Sequence, residues 1–89
     1  MKRDRLQVIR DILKVVQDRN GRIRPTHIMY KANLSHQMLE EYLNELIEKE
    51  LIREVPLKKG KSYSVTDKGF NYIQKYRMIA EFTDSFGLG

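Results

Sequence analysis

Hydrophobic residues recur with a helical spacing along most of this chain and with a strand-like spacing in one late stretch. The first helix is predicted from an apolar stripe at Leu6, Ile9, Ile12, Leu13 and Val16. The turn-forming pair Asn20 and Gly21 marks its end, and residues 22–24 are too few for more than a strand stub. Pro25 suits the first turn of a second helix, expected to run to about Ala32, because its missing N–H has no intrahelical partner there.

A third helix is predicted after a tight turn at residues 33–35. Ser35 is a suitable N-cap, because its hydroxyl can accept from backbone N–H groups of the first turn. The apolar stripe of this helix consists of Leu39, Tyr42, Leu43, Leu46 and Ile47. Two helices joined by so short a turn are typical of a helix-turn-helix, so we interpret residues 35–49 as the recognition helix that enters a DNA groove.

After the third helix the period becomes strand-like, in the runs LIREV and SYSV, which are separated by PLKKGK. We expect a β-hairpin with a basic wing at residues 56–61, in which Gly60 supplies the positive φ that such a loop needs. Thr66 is expected to cap a C-terminal helix at residues 67–83. Residues 84–89 carry no periodicity and are expected to be a frayed tail.

This order of elements predicts an α+β, mostly helical fold: a winged helix-turn-helix with an additional C-terminal helix. A chain of 89 residues is expected to form a single domain, residues 1–89, with a winged-helix core at residues 1–66. The C-terminal helix would then lie outside that core.

The composition argues against several kinds of site. The sequence has no cysteine, and this excludes disulfides, thiolate metal sites and a cysteine nucleophile. His27 and His36 stand alone, without the spacing of a metal site or a catalytic triad. No segment approaches the roughly 18 apolar residues that a bilayer span needs. We therefore expect a cytoplasmic protein that is not an enzyme, with no metal, cofactor, membrane or small-molecule substrate.

Three pieces of sequence resemble the small archaeal winged-helix regulators, the group that includes the 10a-type DNA-binding proteins of Sulfolobus. They are T-x-I-x-x-x-A-N-L-S from Thr26, Y-L-x-x-L from Tyr42 and Y-x-V-T-x-K-G from Tyr63. The resemblance covers nearly the whole chain and implies a DNA-binding domain that often dimerises through its last helix. One departure is Glu50, where such proteins usually have the glycine of a left-handed helix cap, a conformation that costs other residues about 1 to 2 kcal/mol.

The third helix is acidic although the protein is basic. Residues 33–54 carry a net charge of −4 and the rest of the chain +9, within a total of +5. Positive charge lies around the helix, at Lys2, Arg3, Arg5, Arg22, Arg24, Lys31, Lys58, Lys59 and Lys61. This distribution predicts phosphate contacts by the flanks and the wing, with Arg24, Lys31 and the three wing lysines as the candidates. The alternative for the wing is a solvated turn without a ligand.

Base contacts are expected from the first turns of the third helix, the part of a recognition helix that meets the base edges. The candidates are Ser35, His36, Gln37, Glu40 and Asn44. Gln37 and Asn44 suit adenine, and a carboxylate such as Glu40 can accept from cytosine N4. Alternatively, Glu40 and Glu41 belong to a solvated helix face, on which Glu45 and Lys49 have the spacing of an ion pair.

The C-terminal helix carries more apolar residues than one small core needs. The predicted dimer interface consists of Phe70, Tyr72, Ile73, Tyr76, Ile79, Ala80 and Phe82. The favoured function is a homodimeric protein that binds double-stranded DNA, as a transcriptional regulator or a small nucleoid-associated chromatin protein. The alternative is a winged-helix module for protein–protein assembly that does not bind DNA.

Overall fold

The computed structural model describes residues 3–19 and 21–88; Lys2, the predicted helix stop Asn20 and the terminal residues 1 and 89 lie outside these ranges. Within them the chain forms four helices and one two-stranded sheet. The elements are α1 (Arg5–Arg19), α2 (Pro25–Lys31), α3 (His36–Glu48), β1 (Ile52–Pro56), β2 (Lys61–Val65) and α4 (Asp67–Ser85). This arrangement confirms the predicted winged helix-turn-helix with an additional C-terminal helix.

The hydrophobic core lies where α1, the α2–α3 pair and the β-hairpin meet. Its largest fully buried apolar side chains are Ile12, Leu13, Val16, Ile23, Ile28 and Leu46. The stripe predicted for the first helix was wrong at one position: Leu6 is 55 % exposed, and Val8 is buried instead. Val8 fits because it lies one turn before Ile12, which itself lies one turn before Val16.

The turn between α2 and α3 is closed at both sides by backbone and side-chain bonds. Asn33 adopts a left-handed conformation with φ of +55°, and the N–H of Leu34 donates to the carbonyl of Met29 at 3.0 Å. This six-to-one bond is that of a Schellman cap. The hydroxyl oxygen of Ser35 accepts from the N–H of Met38 at 3.2 Å, which confirms Ser35 as the N-cap of α3.

The end of α3 is also a Schellman cap, although no glycine is present. Glu50 has φ of +62°, and the N–H of Leu51 donates to the carbonyl of Leu46 at 2.8 Å. Glu50 therefore adopts the backbone conformation that glycine usually provides, and its Cβ is held in a sterically unfavourable position.

The start of α4 docks against this cap. Thr66 caps α4 as predicted, since its hydroxyl oxygen accepts from the N–H of Gly69 at 3.1 Å, and the same hydroxyl donates to the carbonyl of Glu50 at 2.6 Å. Gly69 lies so close to the chain after α3 that a Cβ there would be 2.1 Å from the carbonyl oxygen of Leu51. The absence of a side chain at Gly69 thus allows α4 to pack against the end of α3.

The hairpin pairs β1 with β2 in antiparallel register, from Ile52 opposite Val65 to Pro56 opposite Lys61. Gly60 has φ of +88°, which confirms its predicted role in the loop. The predicted strand stub at residues 22–24 does not form.

A side chain connects that segment to the sheet instead. The buried Ser62 accepts from the N–H of Ile23 and donates to the carbonyl of Gly21, each at 2.7 Å. These two hydrogen bonds hold the segment at residues 21–23 against β2.

The C-terminal helix is longer than predicted. α4 continues to Ser85 and closes at Gly87, which has φ of +72°, while the N–H of Leu88 donates to the carbonyl of Thr83 at 2.8 Å. The prediction of an aperiodic tail from residue 84 is therefore wrong for the described residues 84–88. Even at 19 residues α4 is too polar to cross a bilayer, and no other helix in the described ranges qualifies.

Candidate nucleic-acid interface

The exposed face of α3 carries the residues that the sequence selected as base contacts. All five are exposed: Ser35, His36, Gln37, Glu40 and Asn44. The hydroxyl of Ser35 is engaged as the N-cap, and the Gln37 amide lies 3.5 Å from a carboxylate oxygen of Glu41. The leucine stripe on the opposite face packs into the core, so the orientation of this face is fixed.

Part of the acidity of α3 is neutralised from α1. Arg5 forms an ion pair with Glu45 and lies over the ring of Tyr42, with its guanidinium carbon 5.9 Å from the ring centroid. The hydrogen bond to Glu45 raises the pKa of Arg5 above its ordinary value. Glu45 therefore pairs across the fold rather than with Lys49, its predicted partner one turn along α3.

Arg3 is likewise engaged within the chain. Its guanidinium forms an ion pair with Asp11 at 2.6 Å and donates to the carbonyl of Ala32 at 2.6 Å, where α2 ends. Arg3 and Arg5, which the sequence placed among the basic flanks, thus hold α1 to the helix-turn-helix. They are less available for phosphate than their charge alone suggests.

A basic cleft lies on the outer side of α2 and the segment before it. Its lining consists of Arg22, Arg24, Thr26, His27, Tyr30 and Lys31. The cleft has a volume of about 510 Å³, and no carboxylate lines it. Tyr30 is 78 % exposed, so its ring and hydroxyl stand free beside the cations. Arg24 and Lys31 were predicted as contacts, whereas His27 and Tyr30 were missed.

The helical spacing of α2 could have identified the two missed residues. Ile28 is buried, and a rotation of about 100° per residue places Tyr30 and His27 on the side away from it, near Lys31. Arg19 extends the positive surface toward α1, since a guanidinium nitrogen of Arg19 lies 3.2 Å from Nε2 of His27. Among the described residues, no group of three histidine or carboxylate side chains is placed to hold a metal ion.

The wing lysines differ in their surroundings. The ammonium of Lys61 lies 3.8 Å from a carboxylate oxygen of Glu54 on the neighbouring strand. Lys58 and Lys59 are exposed in the hairpin loop and form no ion pair with any described residue. The loop itself is closed by a bond of 3.1 Å from the N–H of Leu57 to the carbonyl of Gly60.

The structure brings several predicted contacts together in one depression, here named the reading-face recess. His36, Glu40 and Asn44 of α3 form one side of it, and Lys61 of β2 belongs to another. Thr26 of α2 lines both this recess and the basic cleft, so the two sites adjoin at the start of α2. Lys58 and Lys59 line neither.

The predicted dimer residues of α4 lie on more than one face. Tyr72, Ile73, Tyr76 and Ala80 are partly buried on the side that packs toward α1. Phe70, Ile79 and Phe82 are exposed. Ile79 and Phe82 belong to an apolar stripe, here named the α4 stripe, whose members are 62–76 % exposed: Met78, Ile79, Phe82, Phe86 and Leu88. Phe86 and Leu88 were missed because the helix was expected to end before them.

Comparison with known proteins gives a match to a family model and several related chains. A model described as winged helix-turn-helix matches residues 2–84. The uncharacterized protein MJ0290 of Methanocaldococcus jannaschii is 36 % identical over 79 residues, which are 89 % of this chain. The chain spans only 35 % of the length of that relative.

Solved structures share the fold at low sequence identity. Sso10a-2, a DNA-binding protein from Sulfolobus solfataricus, superposes with a TM-score of 0.80 at 18 % identity, covering 94 % of this chain and 85 % of that one. A mutant of S. aureus MepR bound to an oligodeoxyribonucleotide superposes with a TM-score of 0.71 at 14 % identity, covering 91 % of this chain and 59 % of that one.

Proposed function

This chain belongs to the winged helix-turn-helix family, and we propose that it binds double-stranded DNA, as a transcriptional regulator or a nucleoid-associated chromatin protein. One observation carries the proposal: the exposed residues of α3 adjoin a cleft that is lined by three basic side chains and by no carboxylate. Phosphates would enter that cleft when the exposed face of α3 lies in the major groove.

Base contacts would come from the first turns of α3. Gln37 and Asn44 have the donor and acceptor pair that matches adenine, and Glu40 has the acceptor that matches the amino group of cytosine. His36 stands at the start of the helix, where the groove floor comes closest. The acidic residues that follow, Glu45 and Glu48, lie further along the helix and would stay away from the duplex.

Phosphate contacts would come from both sides of α3. Arg22, Arg24 and Lys31 of the basic cleft supply charge, and the exposed hydroxyl of Tyr30 supplies a neutral donor. Lys58 and Lys59 in the hairpin loop would reach the backbone on the other side. The solved relatives point the same way, since Sso10a-2 is described as a DNA-binding protein and MepR was solved with an oligodeoxyribonucleotide.

The α4 stripe supports a symmetric dimer as part of this function. Met78, Phe82 and Phe86 follow one another at intervals of one helical turn, and the rings of Phe82 and Phe86 are 4.9 Å apart. Exposed apolar surface of this kind marks interaction sites. In a two-fold dimer the stripe of one copy would pack against the same stripe of the other, and the dimer would carry two α3 helices for two half-sites of a duplex.

Salt titration of duplex binding tests the DNA proposal. The logarithm of the association constant should fall with the logarithm of salt concentration by about 0.9 per phosphate contacted. Replacing Arg22, Arg24 and Lys31 together by alanine should lower that slope by up to about 3. Lys75→Ala, which removes an exposed charge from α4, should leave the slope nearly unchanged.

Absence of duplex binding even at low salt would reject the DNA proposal and favour the assembly module. If Lys75→Ala lowers the slope as much, per charge removed, as the triple substitution in the basic cleft does, then the cleft has no special role. Comparing random and selected duplexes separates the two biological roles, since uniform affinity favours the chromatin protein.

Sedimentation equilibrium tests the dimer. The double variant Phe82→Glu and Phe86→Glu should be monomeric at concentrations where the parent is a dimer, because two carboxylates would be buried without partners. Arg77→Glu makes the same change of −2 in net charge on the side of α4 that faces α1, away from the stripe, and should leave the dimer intact. A parent chain that is monomeric at high micromolar concentration would refute the dimer.

A further inference from the structure

The reading-face recess has the form of a small-molecule site. It lies between the start of α2, the middle of α3 and the strand β2, and it encloses about 240 Å³. Its floor consists of Met29, Leu39, Leu43 and Tyr63, whose side chains also belong to the core or pack against it. An apolar floor below a few polar groups is the usual construction of a ligand pocket, although this one is slightly smaller than most.

Tyr63 provides an unused polar group at this floor. The residue is only 3 % exposed, and its hydroxyl forms no hydrogen bond with any described residue. No fully buried side-chain oxygen or nitrogen in the described ranges lacks a partner, so this hydroxyl keeps some contact with solvent. Tyr63 forms part of the wall of the recess, so its hydroxyl is the candidate hydrogen-bonding group of the floor for a molecule bound there.

The charges at the rim favour a cation. Glu40 belongs to the lining, and its carboxylate forms no ion pair with any described residue. The opposing charge is Lys61, whose ammonium is already shared with Glu54 at 3.8 Å. Of the two charged residues that line the recess, Lys61 thus already has a carboxylate partner outside it, whereas Glu40 is free to pair with a bound cation.

We propose that the reading-face recess binds a small planar aromatic cation, an amidinium or guanidinium group attached to a single ring. The ring contacts the apolar floor, where Met29 offers a thioether and Tyr63 an aromatic face. The planar cation donates two parallel hydrogen bonds to the carboxylate of Glu40. Glu40 thus selects the charge of the ligand, and the floor selects its flat apolar body.

Occupation of the recess would regulate DNA binding, a consequence that rests on the proposed function. His36, Glu40 and Asn44 line the recess and are also the side chains expected to contact bases. A ligand that holds Glu40 removes an acceptor from the base-reading face and fills space beside α3. Ligand and duplex therefore compete.

The direct test uses benzamidine as the probe and no DNA. Titration followed by NMR should show saturable shifts of the Met29 methyl group and of Tyr63. Benzoate, which has nearly the same shape and the opposite charge, should give no comparable shifts. Glu40→Gln should weaken benzamidine binding by about tenfold or more, because the amidinium loses the opposing charge and one of its two acceptor oxygens. Glu41→Gln changes the adjacent carboxylate, which does not line the recess, and should leave binding unchanged.

Three results would overturn the proposal: no saturable shifts with benzamidine, equal binding of benzoate, or equal loss of affinity in Glu40→Gln and Glu41→Gln. Both substitutions are at exposed positions, so the fold should be retained. Tyr63→Phe keeps the apolar floor and removes the hydroxyl, and a smaller loss of affinity than in Glu40→Gln is expected.

The competition is measured separately, on a labelled duplex with sodium chloride added to match the chloride of the benzamidine salt. Benzamidine should weaken duplex binding by the parent chain and have much less effect on Glu40→Gln. If benzamidine binds the chain directly but does not weaken duplex binding, the regulatory role is refuted and the ligand site remains. Failure of the chain to bind any duplex would reject the proposed function without affecting the direct test.

Discussion

Replacement of Glu50 by glycine is expected to raise the free energy of unfolding. Glu50 has φ of +62° at the position after the C-cap of α3, and its exposed side chain makes no hydrogen bond or ion pair with any described residue. Its backbone carbonyl accepts from the Thr66 hydroxyl, a bond that does not depend on the side chain. The substitution therefore removes a steric cost and leaves the known contacts in place.

Two opposing effects determine the size of the change. A left-handed conformation costs a residue with a Cβ about 1 to 2 kcal/mol, and glycine avoids this cost. Glycine also makes the unfolded chain more flexible, which lowers stability by about 0.4 to 1 kcal/mol. The net stabilisation is expected to be about 1 kcal/mol, equivalent to a rise in Tm of about 4 to 8 °C for a domain of this size.

Urea unfolding at one fixed protein concentration measures this effect, since a dimer's apparent stability depends on concentration. Glu50→Ala is the matched control, because it removes the same charge and keeps the Cβ. Glu50→Ala should raise the free energy of unfolding much less than Glu50→Gly does. Glu48→Gly, within the last turn of α3, should destabilise by about 1 kcal/mol. Equal stability of the glycine and alanine variants at position 50 would refute the steric explanation.

Three further predictions concern the packing around the wing. Ser62→Ala should destabilise by about 2 to 3 kcal/mol in urea unfolding, because two bonds of 2.7 Å to the segment at residues 21–23 are lost; an unchanged midpoint would contradict this. Gly69→Ala should destabilise by about 1 to 3 kcal/mol despite its better helix propensity, since the new Cβ would meet the Leu51 carbonyl oxygen; stabilisation would show that no clash exists. Burial, and to a smaller extent the charge of Glu54, raise the pKa of Tyr63 above its ordinary value of about 10. The stabilisation of the folded state by the neutral phenol should therefore be complete below about pH 10, and the free energy of unfolding should fall as pH rises further. Tyr63→Phe should show a smaller loss of stability between pH 9 and 11.

Local chemistry was enough to predict most of the fold. Ser35 and Thr66 were identified as N-caps and Gly60 as the turn glycine from residue type and position alone, and each acts within a few residues of itself. The order of helices and strands follows from the period of the apolar residues. Predictions of this kind succeed when the deciding interaction is close in sequence.

Interactions distant in sequence were beyond that reasoning. Ser62 bonds to a segment 39 to 41 residues away, and Arg5 pairs with Glu45 across 40 residues. The end of α4 was placed too early because polar residues interrupt its apolar spacing near Thr83, although the Schellman cap at Gly87 closes the helix later. The candidate phosphate contacts Arg24 and Lys31 share one cleft, but the sequence did not indicate that Tyr30 completes it.

The acidic residues of α3 have different surroundings, and their net charge is therefore a poor guide to the potential at its exposed face. Glu45 is neutralised by Arg5 from α1, and Glu50 lies beyond the helix in the cap that receives α4. Glu40 alone lines the reading-face recess. Because Glu40 faces both the expected base contacts and the proposed ligand, Glu40→Gln should affect duplex selectivity and benzamidine binding together, whereas substitutions of Glu45 should act mainly through stability. If the variants differ in this way, the carboxylate of Glu40 has a role in binding, whereas that of Glu45 has a role in holding the helix.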